Sequence, residues 1–168
     1  MKKWIAGIGA VALVGAGAAA AVVVGSDTTV ERVVDGDTVD VSTWLGTKRV
    51  RLLNINAPEL GHFGDPEECL AQEAKDRLEE LLPEGTEVSL EYDNDRRDRY
   101  GRDLAGVFVG EDFINEHMVR NGFAHAVVYE PNRKFYDRIL AAEAEPRENG
   151  AGVFGVEPGC LVGHGEPG

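Results

Sequence analysis

The stretch between residues 28 and 55 constrains the fold most strongly, because three short extended runs follow one another there with tight turns between them. The runs are Thr28–Val34, Thr38–Val41 and Lys48–Ile55. Their β-branched residues and their alternation of polar with apolar positions are typical of strands, and Gly46 marks a hairpin between the second and the third. Ala57-Pro58 ends the third run, since proline cannot continue a central strand. The sequence therefore predicts three consecutive strands.

A helix is predicted next, beginning at Asp65-Pro66-Glu67-Glu68. This tetrapeptide combines a capping carboxylate, a proline at the first helical position and acidic residues near the positive end of the helix dipole. The apolar positions with helical spacing are Leu70, Ala74, Leu78, Leu81 and Leu82. Pro83 follows them and predicts the end of the helix.

The remaining chain adds two strands and two helices. They are predicted over Thr86–Tyr92, Leu104–Val109, about 112–121 and from about Asn132 onward. We expect Pro146 to kink or end the last helix, and the Gly- and Pro-rich residues after Gly150 to form a loose tail. Five strands with an intervening helix suit a small closed barrel. The expected fold class is α+β, mainly β, with a five-stranded OB-type β-barrel and about three flanking helices.

Residues 1–25 differ in composition from the rest of the chain. Lys2-Lys3 precedes the uncharged run Trp4–Gly25, which consists mainly of Ala, Gly and Val. A basic start followed by an apolar run is typical of an export signal, and Ala18-Ala19-Ala20 offers a cleavage site. Residues 4–25 are also long enough for an uncleaved membrane anchor, and a buried helix of the domain is the third interpretation. Both export interpretations predict an extracellular protein, either secreted or anchored to the outer face of the cell membrane.

The exported part would comprise a domain over residues 26–155 and a tail over residues 156–168, and it holds 15 basic against 30 acidic residues. So acidic a surface repels a polyanion, which argues against nonspecific nucleic-acid binding by the whole surface but not against a local cationic site. The two cysteines, Cys69 and Cys160, can form a disulfide outside the cytoplasm, and two free thiols are the alternative. We predict the disulfide, and we expect it to pin the tail to the first long helix and to support stability rather than chemistry.

Two clusters of polar residues interrupt the first strands. In Asp35-Gly36-Asp37-Thr38, two carboxylates at a strand junction offer hard oxygen ligands for calcium, although an ordinary hairpin turn is the alternative. Arg51 interrupts a strand with apolar neighbours, and burial of an arginine is costly unless it meets an anion. Glu59 follows a proline on a loop where a base can reach solvent. A structural ion pair and a solvated glutamate are the alternatives for these two residues.

Two more clusters follow along the chain. Residues 98–103, DRYGRD, present guanidinium groups for phosphate oxygens with an aromatic ring between them, or else a solvated loop whose charges cancel. Asn115–Ala124 combines polar residues with a helix-to-glycine ending that also has an ordinary capping explanation. Tyr129-Glu130-Pro131-Asn132 completes the set.

Taken together, these residues resemble the staphylococcal nuclease (thermonuclease) family. The motifs are VVDGDTV, VRLLNINAPE, the pair Glu73-Ala74, DRYGRDLA and INEHMVRNGFA, in the family's order and approximate spacing over roughly residues 28–154. The resemblance implies a Ca²⁺-dependent nuclease that hydrolyses DNA and RNA with low sequence specificity and leaves 3′-phosphate products. A noncatalytic OB-fold module that binds nucleic acid or another partner is the alternative, and an exported structural domain is a third possibility.

The resemblance also implies a metal site. Asp37 matches the first calcium-binding carboxylate, Asp35 matches a nearby outer-shell acid, and Ala57 stands where the family supplies a backbone carbonyl. Asn56 departs from the pattern, because the best-known members carry a second calcium-binding aspartate there. An amide oxygen can still coordinate calcium, but the site loses one negative charge, so we expect weaker calcium binding.

The catalytic and substrate-binding roles follow in the same way. Glu59 matches the glutamate that activates water, while Arg51 and Arg102 match the arginines that bind and stabilise the scissile phosphate. Tyr100 matches a tyrosine that lines the nucleotide site. Tyr129 lies in a segment one residue shorter than the family's, and it either stacks on a nucleotide or only packs. The expected partners are DNA and RNA substrates, with no stable protein partner and a monomeric chain.

Overall fold

The computed structural model describes residues 28–61, 66–157 and 159–160. The predicted export segment 1–25, the predicted capping residue Asp65 and most of the predicted tail 156–168 therefore lie outside the described residues. The strands in the described part are β1 Thr29–Asp35, β2 Thr38–Thr43, β3 Gly46–Leu52, β4 Ile55–Asn56, β5 Ser89–Arg97, β6 Asp103–Val109, β7 Asp112–Phe113 and β8 His125–Ala126. The helices are α1 Ala71–Leu81, α2 Ile114–Arg120 and α3 Tyr136–Asn149. Within the described residues, no helix has the length and apolar character needed to cross a membrane.

The main sheet has the strand order β1-β2-β3-β6-β5, and β7 pairs with β6. All pairs are antiparallel except β3 with β6, which run parallel. The two ends of this sheet are linked by the segment before β5: Val30 N–H donates to Thr86 O at 2.9 Å, and Val88 N–H donates to Thr28 O at 3.0 Å. The strand-to-strand hydrogen bonds do not continue all the way around the sheet, so it is not a fully closed barrel. The mainly β, OB-type fold with three helices is confirmed.

The core fills the inside of this curved sheet. Alternate residues of β2 and β3 point inward, so that Val39, Val41, Val50 and Leu52 are fully buried. Each such side chain contributes on the order of 1.5–3 kcal/mol through its removal from water. Helix α1 packs on β1 through Ala74 and Leu78, while α2 and α3 pack on each other. The outer face of β3 is therefore left to carry polar residues.

Several predicted boundaries were wrong, and long-range contacts explain two of them. Helix α1 begins at Ala71 and not at residues 65–68, because the backbone and carboxylate of Glu68 are engaged with Glu59 and Leu70 adopts a left-handed φ of 67°. The predicted strand 48–55 is divided into β3 and β4 by Asn54, whose φ is 61°. Its buried side chain donates to Val127 O and Asn132 O, which holds this conformation in place.

The end of the domain also differs from the prediction. Helix α3 continues through Pro146, whose side chain is buried, and ends at Asn149. Gly150 caps it, and Ala151 N–H donates to Pro146 O. The residues directly after Gly150 do not form a loose tail, because Gly152–Phe154 forms a 3-10 turn with Val153 buried. Val153 N–H donates to Gly122 O at 2.9 Å. Packing of the apolar side chains here offsets the local preferences of proline and glycine.

Candidate active site

The turn between β1 and β2 is pressed against two other segments. A Cβ atom added to Gly36 would lie 2.6 Å from Ala57 Cβ and 2.8 Å from Ala74 Cβ, so a larger residue does not fit. The close approach places Asp37 beside the chain that follows β4, where Ala57 N–H donates to Asp37 Oδ2 at 2.8 Å. Asp35 Oδ1 accepts the Asp37 N–H at 3.0 Å, which shapes the turn. Asp37 thus meets the Ala57 backbone through tertiary packing, and Asp35 shapes the turn that carries Asp37.

Arg51 occupies the centre of the site. Its side chain projects from the outer face of β3 but is only 8% exposed. Nη1 lies 2.8 Å from Asp37 Oδ2 and donates to Ile55 O at 3.0 Å, and Nη2 donates to Asn56 Oδ1 at 2.9 Å. Burial lowers the pKa of Arg51, but Asp37 and the neighbouring acids raise it above its usual value, so the guanidinium stays charged. The anion that a buried arginine requires is therefore supplied by the protein itself.

Asp37 is fully enclosed, and its surroundings carry excess negative charge. Burial raises the pKa of its carboxyl to about 8, Arg51 opposes the shift, and Asp35 and Glu59 add to it. Three carboxylates thus act on one another around a single buried guanidinium. This donor set fits a hard cation such as calcium, which would relieve the repulsion. No group of three or more His, Cys, Asp or Glu side chains suited to a metal occurs in the described residues, so such a site would need backbone, amide or water oxygens as well.

Asn56 is positioned by two neighbours in addition to its backbone pairing. Its Oδ1 accepts hydrogen bonds from Arg51 Nη2 at 2.9 Å and from Tyr129 Oη at 3.3 Å. The Arg51 guanidinium also lies over the Tyr129 ring, 5.9 Å from its centroid. To coordinate a metal through its amide oxygen, Asn56 would share that oxygen with one of these donors. Tyr129 thus contacts the site residues directly.

A cavity of about 340 Å³ opens in front of Arg51. The predicted site residues that line it are Arg51, Asn56, Glu59, Tyr100, Arg102 and Tyr129. Arg102 enters from the loop before β6, where its Nε donates to Asp98 Oδ2 at 2.5 Å and its guanidinium lies 5.5 Å from the Tyr100 ring centroid. Burial alone would raise the pKa of Asp98, but the hydrogen bonds with Arg102 outweigh this effect and lower the pKa below its usual value. The pair is therefore charged. Asp35, Asp37 and Ala57 do not line the cavity.

Glu59 lies at the rim of the cavity with its side chain exposed. Its carboxylate accepts no hydrogen bond from any described residue. Its backbone, in contrast, is held at both ends: Glu59 N–H donates to Glu68 Oε2 at 2.9 Å, and Glu68 N–H donates to Glu59 O at 3.0 Å. Desolvation at the rim raises the pKa of Glu59, and Asp35 adds to the effect while Arg51 opposes it. A carboxylate in this environment is a stronger base than one in water.

Sequence reasoning placed Asn115 and Asn132 among the clusters of polar residues but did not predict that they join separate segments of the chain around the site. Asn132 is buried and exchanges two hydrogen bonds with the Asp95 backbone, which ties the loop after β8 to β5. Asn115 links the first turn of α2 to Leu53 O and to Val107 N–H. Buried asparagine in otherwise apolar surroundings is a usable signal, since such side chains need partners, but it does not reveal which partners these are.

Cys69 and Cys160 are joined in a disulfide with their Cα atoms 5.7 Å apart. The bond lies just before α1, and neither cysteine lines the cavity. Cys69 nevertheless directly follows Glu68, which holds the Glu59 backbone. The disulfide is thus one residue away from a contact of the site.

Comparison with known proteins matches residues 49–154 to the family model "Staphylococcal nuclease homologue". The thermonuclease of Staphylococcus hyicus is 35% identical over 117 residues, which cover 70% of this chain and 69% of that protein. The thermonuclease of Staphylococcus intermedius is 35% identical over 116 residues, which cover 69% and 67% respectively. The SPbeta prophage-derived endonuclease YokF of Bacillus subtilis is 37% identical over 130 residues, but the matched part is only 44% of that longer protein.

Proposed function

The chain belongs to the staphylococcal nuclease family and is a nuclease; from this premise we propose that it is an exported, calcium-dependent enzyme that hydrolyses phosphodiester bonds of DNA and RNA. Water attacks the phosphorus atom, the bond to the 5′-oxygen breaks, and that oxygen leaves with a proton as a hydroxyl. The products carry a 3′-phosphate and a 5′-hydroxyl. Contacts to phosphate carry no information about the bases, so we expect low sequence specificity.

One observation carries the proposal: two arginines and a carboxylate with distinct roles line the same cavity of about 340 Å³. Arg51 and Arg102 provide positive charge where negative charge builds up on the phosphoryl oxygens, and Glu59 provides a base at the rim. A noncatalytic binding module needs positive charge but has no use for an acidic residue facing the phosphate. The combination therefore supports hydrolysis over simple binding.

The two arginines retain donors for a substrate. Arg51 contacts protein acceptors through Nη1 and through one hydrogen of Nη2. Its Nε–H has no acceptor among the described residues. Arg102 is fixed through Nε by Asp98, and neither of its Nη atoms contacts an acceptor among the described residues. Fixed guanidinium groups of this kind bind phosphate oxygens with little loss of side-chain freedom.

Glu59 is the proposed base. Its carboxylate is free of protein donors in the described part of the chain and is directed by a backbone that Glu68 holds on both sides. It can therefore accept a hydrogen bond from a water molecule and take up its proton. The raised pKa makes the carboxylate a better proton acceptor than an ordinary glutamate.

Calcium is the proposed cofactor. Asp37 and the Ala57 carbonyl would hold the ion, with Asn56 as a further oxygen ligand and Asp35 in the outer shell. Bound calcium would supply Lewis-acid stabilisation of the developing charge. The raised pKa of Asp37 supports this assignment, because a buried carboxylate with too few positive neighbours favours either a proton or a cation.

Export is supported by the sequence of residues 1–25 and by the disulfide, since disulfides persist mainly outside the cytoplasm. Whether the segment is cleaved or retained as an anchor is decided by the mass of the exported protein. A mass that corresponds to a chain starting just after the expected cleavage site at Ala18-Ala19-Ala20 indicates secretion, and an intact N-terminus in the membrane fraction indicates an anchor. We propose that the exported chain is a monomer.

Turnover of DNA by residues 26–168 tests the proposed function. We expect cleavage with calcium and none with a chelator, and we expect Arg51→Ala, Glu59→Ala and Arg102→Ala each to lower the rate by about 100- to 1000-fold. Arg77→Gln removes a charge on α1, outside the cavity, and is the matched control. Near-normal rates in any well-folded one of the three variants would remove that residue from the mechanism.

A further inference from the structure

A second cavity lies beside the first and shares three of its residues. It has a volume of about 810 Å³ and is more open to solvent. The shared residues are Glu59, Tyr100 and Arg102, and the second cavity adds Asp40, Thr47 and Arg49 from the β2–β3 hairpin. The proposed base and one proposed phosphate-binding arginine therefore stand on the boundary between the two cavities. A polynucleotide extends in both directions from the phosphate that is cleaved, so a site for it needs space on both sides of this boundary.

Strand β3 aligns the second cavity with the first. Arg49 lies two residues before Arg51, on the same face of the strand, about 6.6 Å away along the strand axis. The residue between them, Val50, points into the core and is fully buried. Successive outward positions of a strand are thus separated by a distance comparable with the spacing of phosphates in an extended single strand. Arg49 is placed to contact the phosphate next to the one at Arg51.

Arg49 is held in a defined orientation by its partner on β2. Its Nε donates to Asp40 Oδ1 at 2.8 Å and its Nη2 donates to Asp40 Oδ2 at 3.0 Å. Arg32 of β1 also contacts Asp40 Oδ2, at 2.7 Å. Two guanidinium groups therefore share one carboxylate, so Asp40 alone does not neutralise both of them. The Arg49 side chain is still 45% exposed, and its Nη1 contacts no acceptor in the described residues.

We propose that the second cavity binds the part of the nucleic-acid strand on the opposite side of the scissile phosphate from the first cavity, with Arg49 contacting the adjacent phosphate. This inference rests on the proposed nuclease function and extends it from one nucleotide to a strand that crosses both cavities. Arg49 is a substrate-binding residue in this arrangement. Asp40 is a positioning residue, because it acts through Arg49.

Three dinucleotides with the same scissile phosphate test the inference. The set is d(TpT), d(pTpT) and d(TpTp), which differ only in the presence and side of one outer phosphate. We expect the wild-type protein with calcium to cleave the two phosphorylated dinucleotides with higher kcat/KM than d(TpT). For one of the two phosphorylated dinucleotides, Arg49→Gln should reduce this advantage in kcat/KM about fivefold, which is the effect expected from loss of one exposed charge-assisted contact. It should leave d(TpT) and the other dinucleotide unchanged.

Two variants control for charge and folding. Arg49→Lys keeps the charge and should restore most of the advantage, whereas Arg77→Gln, which lies outside both cavities, should have no selective effect. An equal effect of Arg49→Gln on all three dinucleotides, or no effect on any, would overturn the inference. Selective loss that Arg49→Lys does not rescue would also count against a phosphate contact.

A binding measurement separates this inference from the proposed function. Fluorescence anisotropy of a labelled six-nucleotide oligodeoxythymidylate with Glu59→Gln, and with Glu59→Gln combined with Arg49→Gln, reports strand binding without cleavage. Loss of Arg49 should weaken binding about fivefold and reduce the salt dependence by roughly one phosphate contact. If the wild-type protein cleaves no nucleic acid but this difference persists, the proposed function fails and the strand site stands. If cleavage occurs and binding is the same in both proteins, the strand site fails alone.

Discussion

Removal of the disulfide by Cys69→Ser and Cys160→Ser should lower both the stability of the domain and its activity. The two cysteines are 91 residues apart in sequence. The chain-entropy relation for a loop of that length gives about 4.6 kcal/mol at 25 °C, and engineered and natural disulfides usually contribute less, so we expect the free energy of unfolding to fall by about 2–4 kcal/mol. Circular dichroism during urea unfolding, with the oxidised wild type as reference, measures this difference.

The effect on activity follows from the position of Cys69. The disulfide fixes the residue after Glu68, and Glu68 holds both backbone groups of Glu59. Looser attachment of this segment should misplace the proposed base and lower kcat more than it changes KM. Glu68→Ala removes the carboxylate that accepts the Glu59 N–H and should do the same without loss of the disulfide, whereas Glu67→Ala, at a neighbouring exposed acid, should not. This prediction differs from the sequence-based expectation that the bond supports stability rather than chemistry, and kcat of the folded double variant decides between the two.

Two results would refute this reasoning. A loss of stability below about 1 kcal/mol would show that the crosslink does not restrict the unfolded chain as assumed. An unchanged kcat in the folded double variant would show that the Glu68–Glu59 contacts persist without the disulfide. Digestion of the exported protein without reductant should in addition yield a linked Cys69–Cys160 peptide pair, and two thiols open to alkylation would mean that the bond does not form in the exported protein.

Four further predictions concern the calcium site and the turn that carries Asp37. Asn56→Asp restores a carboxylate and should tighten calcium binding about tenfold in calorimetric titration with a nucleotide analogue present, while equal or weaker affinity would show that the site is built differently. Because the pKa of metal-free Asp37 is about 8, protons should compete with calcium, and calcium affinity should fall about tenfold per pH unit below pH 8; a flat profile would contradict this. The same shift means that the folded, metal-free protein holds a proton more tightly than the unfolded chain, so its stability should fall as pH rises from about 4 to 8; denaturant unfolding in a chelator measures it. Gly36→Ala should cost about 1–3 kcal/mol in urea unfolding, since its methyl group would overlap Ala57 and Ala74.

The sequence predicted those elements whose local pattern agrees with their tertiary role. The strands around the Asp35-Gly36-Asp37 turn and the end of α1 near Pro83 were located within a few residues. The start of α1 was wrong because capping residues at 65–68 favour a helix, while Glu68 makes its contacts with a residue nine positions earlier. No periodicity contains that information. The predicted break of α3 at Pro146 was also wrong. The sequence shows the local penalty of a proline in a helix, but it does not show that burial of the ring compensates for this penalty.

For the site residues as well, the sequence indicated which residues matter but did not indicate which contacts they make. For Arg51, the sequence left open a structural ion pair and a phosphate-binding group, as though one excluded the other. The structure makes the ion pair with Asp37 at 2.8 Å and also directs the guanidinium into the cavity. An arginine with five donors can satisfy both, because the pair with Asp37 offsets its burial while its remaining donors face solvent. The ion pair that the sequence offered as the alternative to function is thus what keeps this charge in the cavity before a substrate arrives.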